Sequence, residues 1–185
     1  VVRYFAAGGL ARLDPNGVNL TLLTVGLALH GSLGGYRRAV ESAVKGCSGI
    51  ILQFPLYAGI MGVMAGTGLA RDLAGIASSA PGRGAYLAGT FLVAGLVNLM
   101  IPSGGGQWAI QGPVAAQAAS DLGVPFASAV MAVAYGDQWT NMLQPFWALP
   151  LLGITGVKAG EMMGYSAAFL VVGGAWMLLC LLILG

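Results

Sequence analysis

Charged residues punctuate this chain sparsely, and the apolar runs between them mark out its elements. No Asp, Glu, Lys or Arg falls within residues 15–36, 46–70, 84–120, 122–136, 138–157 or 162–185. A helix crosses a hydrocarbon layer of about 30 Å with roughly 20 apolar residues. Single spans are therefore predicted over residues 18–33 and 48–68, and the cleanest over 164–184. Within the second, Gln53-Phe54-Pro55 is expected to break the helix, with Tyr57 within the next turn.

The run over 84–120 is too long for one crossing and too short for two with a turn. Its centre, Ile101-Pro102-Ser103-Gly104-Gly105-Gly106-Gln107, is expected to stop a helix, because proline removes a donor and consecutive glycines favour irregular backbone. Half-length helices over 86–100 and 108–119 are predicted to fold back on each other as a re-entrant hairpin. Such backbone is tolerated at membrane depth only where it is buried in protein or lines a wet cavity. The next segment repeats the theme. A helix over 124–135 is expected to stop at Gly136-Asp137-Gln138-Trp139-Thr140-Asn141 and resume over 142–152, which holds Pro145 and Pro150. The expected fold class is an all-α membrane protein, a polytopic helical bundle with a re-entrant hairpin and a broken transmembrane helix. Its domain organisation is a single transmembrane domain over 1–185. A truncated helix tail and loop (1–16) precede two scaffold spans (17–70), the hairpin (84–120), the broken span (122–153) and a final span (162–185). The opening Val1-Val2-Arg3-Tyr4 reads as the cut end of an apolar helix, so the chain is expected to be a fragment of a longer protein.

Composition sharpens the class. The 185 residues are 57% apolar, with eight basic and six acidic side chains, and the mean hydropathy is +0.83. Soluble domains carry about 25% charged residues; so few charges exclude an ordinary soluble globule, a disordered segment and a nucleic-acid binder. The 31 glycines follow no G-X-Y period and suit close helix packing in a bilayer. Cys47 and Cys180 read as reduced packing residues. Basic residues divide evenly between the two sides, so they set no orientation.

The polar residues gather at the two interruptions. Ser103 offers a hydroxyl, Gly104, Gly105 and Gly106 expose amides, and a half-helix starting near Trp108 would point its positive end at them. Gln107 and Gln111 add donors on one face of that half-helix. This set suits a carboxylate; the plain alternative is a glycine turn that reverses the chain. Asp137 is the sole acid inside a predicted span, and its cost at depth marks it as an ion ligand or proton carrier unless it caps the second half-helix. Gln138, Thr140, Asn141 and Gln144 supply neighbouring oxygens of the kind Na⁺ accepts, although packing and capping also use such clusters. Trp108 and Trp139 flank the interruptions as expected cavity walls, while lone His30 reads as satisfied or interfacial. No metal-ligand spacing is present, and the glycines lack the Gly-Lys-Ser/Thr ending of a phosphate loop. An intramembrane hydrolase using Ser103 and His30 has nothing to bring the pair together. A non-transporting scaffold is the blander reading.

Three motifs then resemble one family. They are the run from Ile101 to Pro113, the run from Ala134 to Pro150, and Ile51-Leu52-Gln53-Phe54-Pro55-Leu56-Tyr57-Ala58-Gly59. In this order they are similar to the signatures of short-chain fatty acid transporters, and the likeness covers nearly the whole chain as the C-terminal half of a family member. The family looks related to the wider ion-transporter superfamily, with its sodium–dicarboxylate symporters. The resemblance implies one half of an inverted-repeat transporter, with hairpin tip and broken helix meeting at the midplane. It implies secondary transport of butyrate- or acetoacetate-type monocarboxylates across a bacterial cytoplasmic membrane, with a dicarboxylate-like anion as the alternative substrate. The carboxylate is then expected at Ser103, Gly104, Gly105, Gly106, Gln107, Gln111 and Trp108, completed by Gln138, Trp139, Thr140 and Asn141. Asp137, Asn141 and Gln144 are expected to take the coupling H⁺ or Na⁺. No enzyme activity and no other cofactor are expected. The expected partners are membrane lipid, the short-chain carboxylate, and a missing N-terminal half or second copy, with a homo-oligomer left open.

Overall fold

The computed structural model describes Ala6 and residues 14–185, apart from the side chains of Ile50 and Phe146. Most of the expected tail over 1–16, with Arg3 and Arg12, lies outside the described residues. Every regular element among the described residues is helical, as expected for the class. The chain divides into two compact units, Val1–Ser48 and Gly49–Gly185.

In the first unit, helix α1 spans Pro15–His30. Asp14 caps it, its carboxylate accepting the Gly17 N–H at 2.6 Å, and Pro15 needs no donor at the first helical position. Gly31 ends it in the left-handed region, at φ 64°. His30 is satisfied locally: its Nδ1 lies 2.7 Å from the Gly26 carbonyl.

Helix α2 runs unbroken over Leu33–Gly66, so the expected break at Gln53-Phe54-Pro55 does not occur. Pro55 removes one hydrogen bond, and membrane helices tolerate that loss. At 1.5 Å per residue, α2 is about 51 Å long. It therefore extends well past its apolar stretch, and Arg37, Arg38, Glu41 and Lys45 lie on its helical first half.

The second unit is built on a helical hairpin. Between the spans lies an element the hydrophobic pattern did not mark: the short helix α3, Leu69–Ser78, which buries Ala70, Ala74 and Ala77. Helix α4 covers Arg83–Met100 and α5 covers Gly104–Asp121. The Tyr86 hydroxyl donates to the Ala115 carbonyl at 2.6 Å, and Gln107 Nε2 donates to the Ala94 carbonyl at 2.8 Å. Both pairs share one antiparallel register, with the turn at Ile101–Ser103. The fold-back is as expected, but its arms are 18 residues each, about 27 Å long, and not half-length. The glycines are the reason. Gly104–Gly106 form the first turn of α5 instead of an irregular tip, because Ser103 caps that turn, its Oγ accepting the Gly106 N–H at 3.3 Å.

Helix α6, Phe126–Asn141, runs parallel to α4. It continues straight through Gly136–Asn141, where an interruption was expected. The Thr140 and Asn141 side chains find partners on α4, so the helix has no reason to stop there. The break comes at Met142–Pro145, because the Pro145 ring excludes a helical carbonyl at Asn141. A 3₁₀ turn, Phe146–Ala148, and helix α7, Leu149–Thr155, complete the interrupted segment. Helix α8, Ala159–Leu184, follows.

Packing between α4, α5 and α6 is close because the interfaces are small. Ala94, Ala115, Ala118, Ala129 and Ala132 fill them around Tyr86, Leu87 and Phe91. Elsewhere large apolar side chains face outward, including Leu29, Phe54, Val172 and Ile183. Among the described residues, α2, α4 and α8 are long and apolar enough to cross a membrane.

Candidate functional site

Three helix ends converge in the second unit: the C-terminal ends of α4 and α6 and the N-terminal end of α5. Asn98 on α4 ties the ends of α4 and α6 together. Its Nδ2 donates to the Asp137 carbonyl at 2.8 Å, the Thr140 hydroxyl at 2.9 Å and Asn141 Oδ1 at 3.1 Å. Its backbone carbonyl accepts Gln144 Nε2 at 2.9 Å, and Asn98 is fully buried. The sequence reading overlooked this residue. Its signal was available: one amide in the otherwise apolar run over 91–100.

A cavity of about 370 Å³ opens beside this junction, toward the small end for ligand pockets. Gln53, Tyr57, Ser103, Asn141 and Gln144 supply its polar lining, and Phe54, Met61, Ile101, Pro102 and Trp147 most of its apolar lining. Two of the polar groups are arranged as donors. Asn141 Oδ1 is engaged by Asn98, which leaves its amide nitrogen for a ligand. The Ser103 oxygen accepts from Gly106, which leaves its O–H. Donors at one side and apolar walls around them suit a small amphiphile with one anionic group.

The remaining candidates are placed as follows. Asp137 approaches the N-terminus of α5: a methyl group at Gly104 would lie 3.4 Å from its Oδ2. The positive end of α5 thus already has one carboxylate beside it. Gly105 faces open space, and a methyl at Gly106 would lie 2.9 Å from Met61 Sδ; none of the three glycines lines the cavity. Gln107 and Gln111 are buried and joined to each other at 3.0 Å, so they fasten α5 to α4 rather than face the cavity. Thr140 is also buried and donates to the Gly95 carbonyl at 2.9 Å. Gln138 is exposed and lies apart from the cavity.

The expected tryptophan walls are corrected. Trp139 stacks on Phe91 with ring centroids 5.0 Å apart, and its Nε1 donates to the Leu170 carbonyl at 2.9 Å. Trp108 packs edge-on against Phe126 at 6.3 Å. Both fill helix interfaces, Trp108 from α5 and Trp139 from the unbroken α6. Trp147, beyond the break, lines the cavity instead, its Nε1 donating to the Asn141 carbonyl at 3.2 Å.

Comparison with known proteins gives this geometry a context. Residues 1–184 match the family described as short chain fatty acid transporter. Two curated proteins, each named "Putative short-chain fatty acid transporter", are both 41% identical to the chain. The one from Haemophilus influenzae aligns over 91% of this chain and 37% of its own length. The one from Escherichia coli aligns over 92% of this chain and 39% of its own length. The chain thus spans less than half the length of the curated relatives it matches. No solved structure matches it. With apolar helices of spanning length and a family match across nearly every residue, this is an integral membrane protein, and the chain belongs to the short chain fatty acid transporter family.

Proposed function

We propose that this chain forms the C-terminal repeat of a secondary carrier for short-chain monocarboxylates in the bacterial cytoplasmic membrane. The α4–α5 hairpin enters the bilayer and returns, and its tip meets α6 near the midplane. The observation that carries this reading is the cavity at the end of α5, with hydrogen-bond donors on one side and apolar walls on the other. The substrate carboxylate takes the Ser103 hydroxyl and the Asn141 amide, within reach of the positive end of α5. Its alkyl chain lies against Met61, Ile101 and Trp147. A monocarboxylate is favoured over a dicarboxylate because the lining contains no Arg, Lys or His.

Asp137 provides coupling to a cation. Two carboxylates 4 Å apart repel by about 4 kcal/mol at an effective dielectric near 20, roughly a thousand-fold in affinity. A cation or proton on Asp137 removes that penalty and frees the α5 terminus for the substrate. Binding of either ligand then favours the other. Movement of the hairpin and α6 against the remaining helices gives alternating access, and a second repeat supplies the other half of the site.

Ser103 tests the reading cleanly, because helix caps can be exchanged. Asp and Asn both cap about as well as Ser, so neither variant loosens α5. Ser103→Asn is expected to transport butyrate within a few-fold of wild type. Ser103→Asp is expected to raise the KM at least ten-fold, since it places a charge beside the carboxylate. Equal uptake by the two variants in proteoliposomes would remove the carboxylate from this end of α5.

A further inference from the structure

Four buried side-chain oxygens among the described residues lack a hydrogen-bond partner: Gln53 Oε1, Asn98 Oδ1, Gln107 Oε1 and Asp137 Oδ1. All four are acceptors, and no buried side-chain donor among the described residues is left over to meet them. An unpaired buried acceptor costs about 1–3 kcal/mol, and more when charged. The amide orientations are not interchangeable. Asn98 Nδ2 is 2.8 Å from the Asp137 carbonyl and Gln107 Nε2 is 2.8 Å from the Ala94 carbonyl. Backbone carbonyls only accept, so rotating either amide would set oxygen against oxygen.

Three of these oxygens belong to one junction. Asn98 holds the Asp137 backbone, and the Asp137 carboxylate lies against Gly104. Gly104 is one turn before Gln107 on α5. Gln107 in turn holds the carbonyl of Ala94, one turn before Asn98 on α4. The contacts close a ring one helical turn wide through α4, α6 and α5. The positive N-terminal end of α5 borders the ring at Gly104, but two features of the ring favour positive charge. It carries one carboxylate, and the C-terminal, negative ends of α4 and α6 both meet there.

We propose that Asp137, Asn98 and Gln107 form a binding site for one monovalent metal cation, Na⁺, at the junction of α4, α5 and α6. The donor set consists entirely of oxygen, the preference of hard cations rather than of transition metals. A single carboxylate balances one positive charge, so a divalent ion would leave excess charge in the bilayer. A proton fits less well. Placed on Asp137 it supplies one donor, which leaves one of the two amide oxygens unpaired. The site deepens the carrier reading above and rests on it for its role, since it names the coupling ion. Na⁺ at Asp137 neutralises the carboxylate that otherwise competes for the α5 terminus.

The test is equilibrium binding of ²²Na⁺ to the full-length protein in detergent, with no carboxylate present and choline as the background cation. Saturable binding is expected, weakened roughly ten-fold or more in Asp137→Asn, on the scale of losing a metal contact. Asn98→Ala is expected to lose binding too, but it also removes a structural hub. Gln107→Glu keeps the side-chain shape and adds a second carboxylate, so it is expected to shift preference from Na⁺ toward Ca²⁺. Absence of saturable ²²Na⁺ binding by folded wild-type protein overturns the site, as does binding indifferent to Asp137→Asn and Gln107→Glu. Butyrate counterflow, measured on the same preparation, separates the two readings. Counterflow without Na⁺ binding overturns the cation site alone, whereas Na⁺ binding without counterflow supports the site and overturns the substrate assignment.

Discussion

Gly136→Ala is expected to melt far below wild type, or to yield no folded protein at all. Helix α6 crosses α4 at this glycine so closely that a methyl group there would overlap the Phe91 carbonyl oxygen and lie 2.7 Å from Ala94 Cβ. A side-chain tip could swing away, but a backbone carbonyl within a helix cannot. Overpacking costs about 1–3 kcal/mol even where neighbours can adjust, and here they are fixed, against a total stability of only 5–15 kcal/mol for a typical domain. The same contact sets the depth at which Asn98 meets Asp137, Thr140 and Asn141, so the site is lost with the packing. Gly62→Ala serves as the control. It lies mid-helix with open space around it, and alanine is about 1 kcal/mol the better helix former. Thermal melting followed by gel filtration in detergent is expected to leave Gly62→Ala at or above wild type. A Gly136→Ala protein that melts beside wild type would show that α4 and α6 do not pack this closely.

The second large effect is functional. Asp137→Asn preserves size and shape while removing the charge, so the α4–α6 contacts made by its backbone stay intact. Uphill accumulation of butyrate driven by an inward cation gradient is expected to fall to the level seen without a gradient. Exchange of butyrate across the membrane is expected to persist, because the Ser103 and Asn141 donors are untouched and no competing carboxylate remains at α5. Unchanged sodium and pH dependence of uptake would remove Asp137 from coupling.

Much of this architecture could be read from charge spacing and proline alone. The apolar runs locate α1, α2 and α8, and Pro102 with Ser103 locates the turn between α4 and α5. The remaining differences are tertiary in origin. The run Gly136–Asn141 looks like an interruption by composition, yet it is helical because Asn98 and the Gly95 carbonyl satisfy the Thr140 and Asn141 side chains. Three glycines look like a tip but form a first helical turn once Ser103 caps them. The tryptophans nearest the polar clusters pack into helix interfaces, and only Trp147, past the displaced break, reaches the cavity. Asn98 was the most informative residue to miss. A single buried amide carries no motif, and its importance rests on partners about 40 residues away. Helix α3 is too short to stand out as a hydrophobic run, and its buried face is made only of alanines.

The carrier reading is tested most directly by counterflow of labelled butyrate into liposomes containing the full-length protein. The pH is held well above the pKa of the acid, because the protonated form crosses lipid unaided. Unlabelled butyrate inside is expected to drive a transient, saturable accumulation of label above its equilibrium level. Flux equal to that of empty liposomes, with the protein folded and inserted, would contradict a short-chain carboxylate carrier.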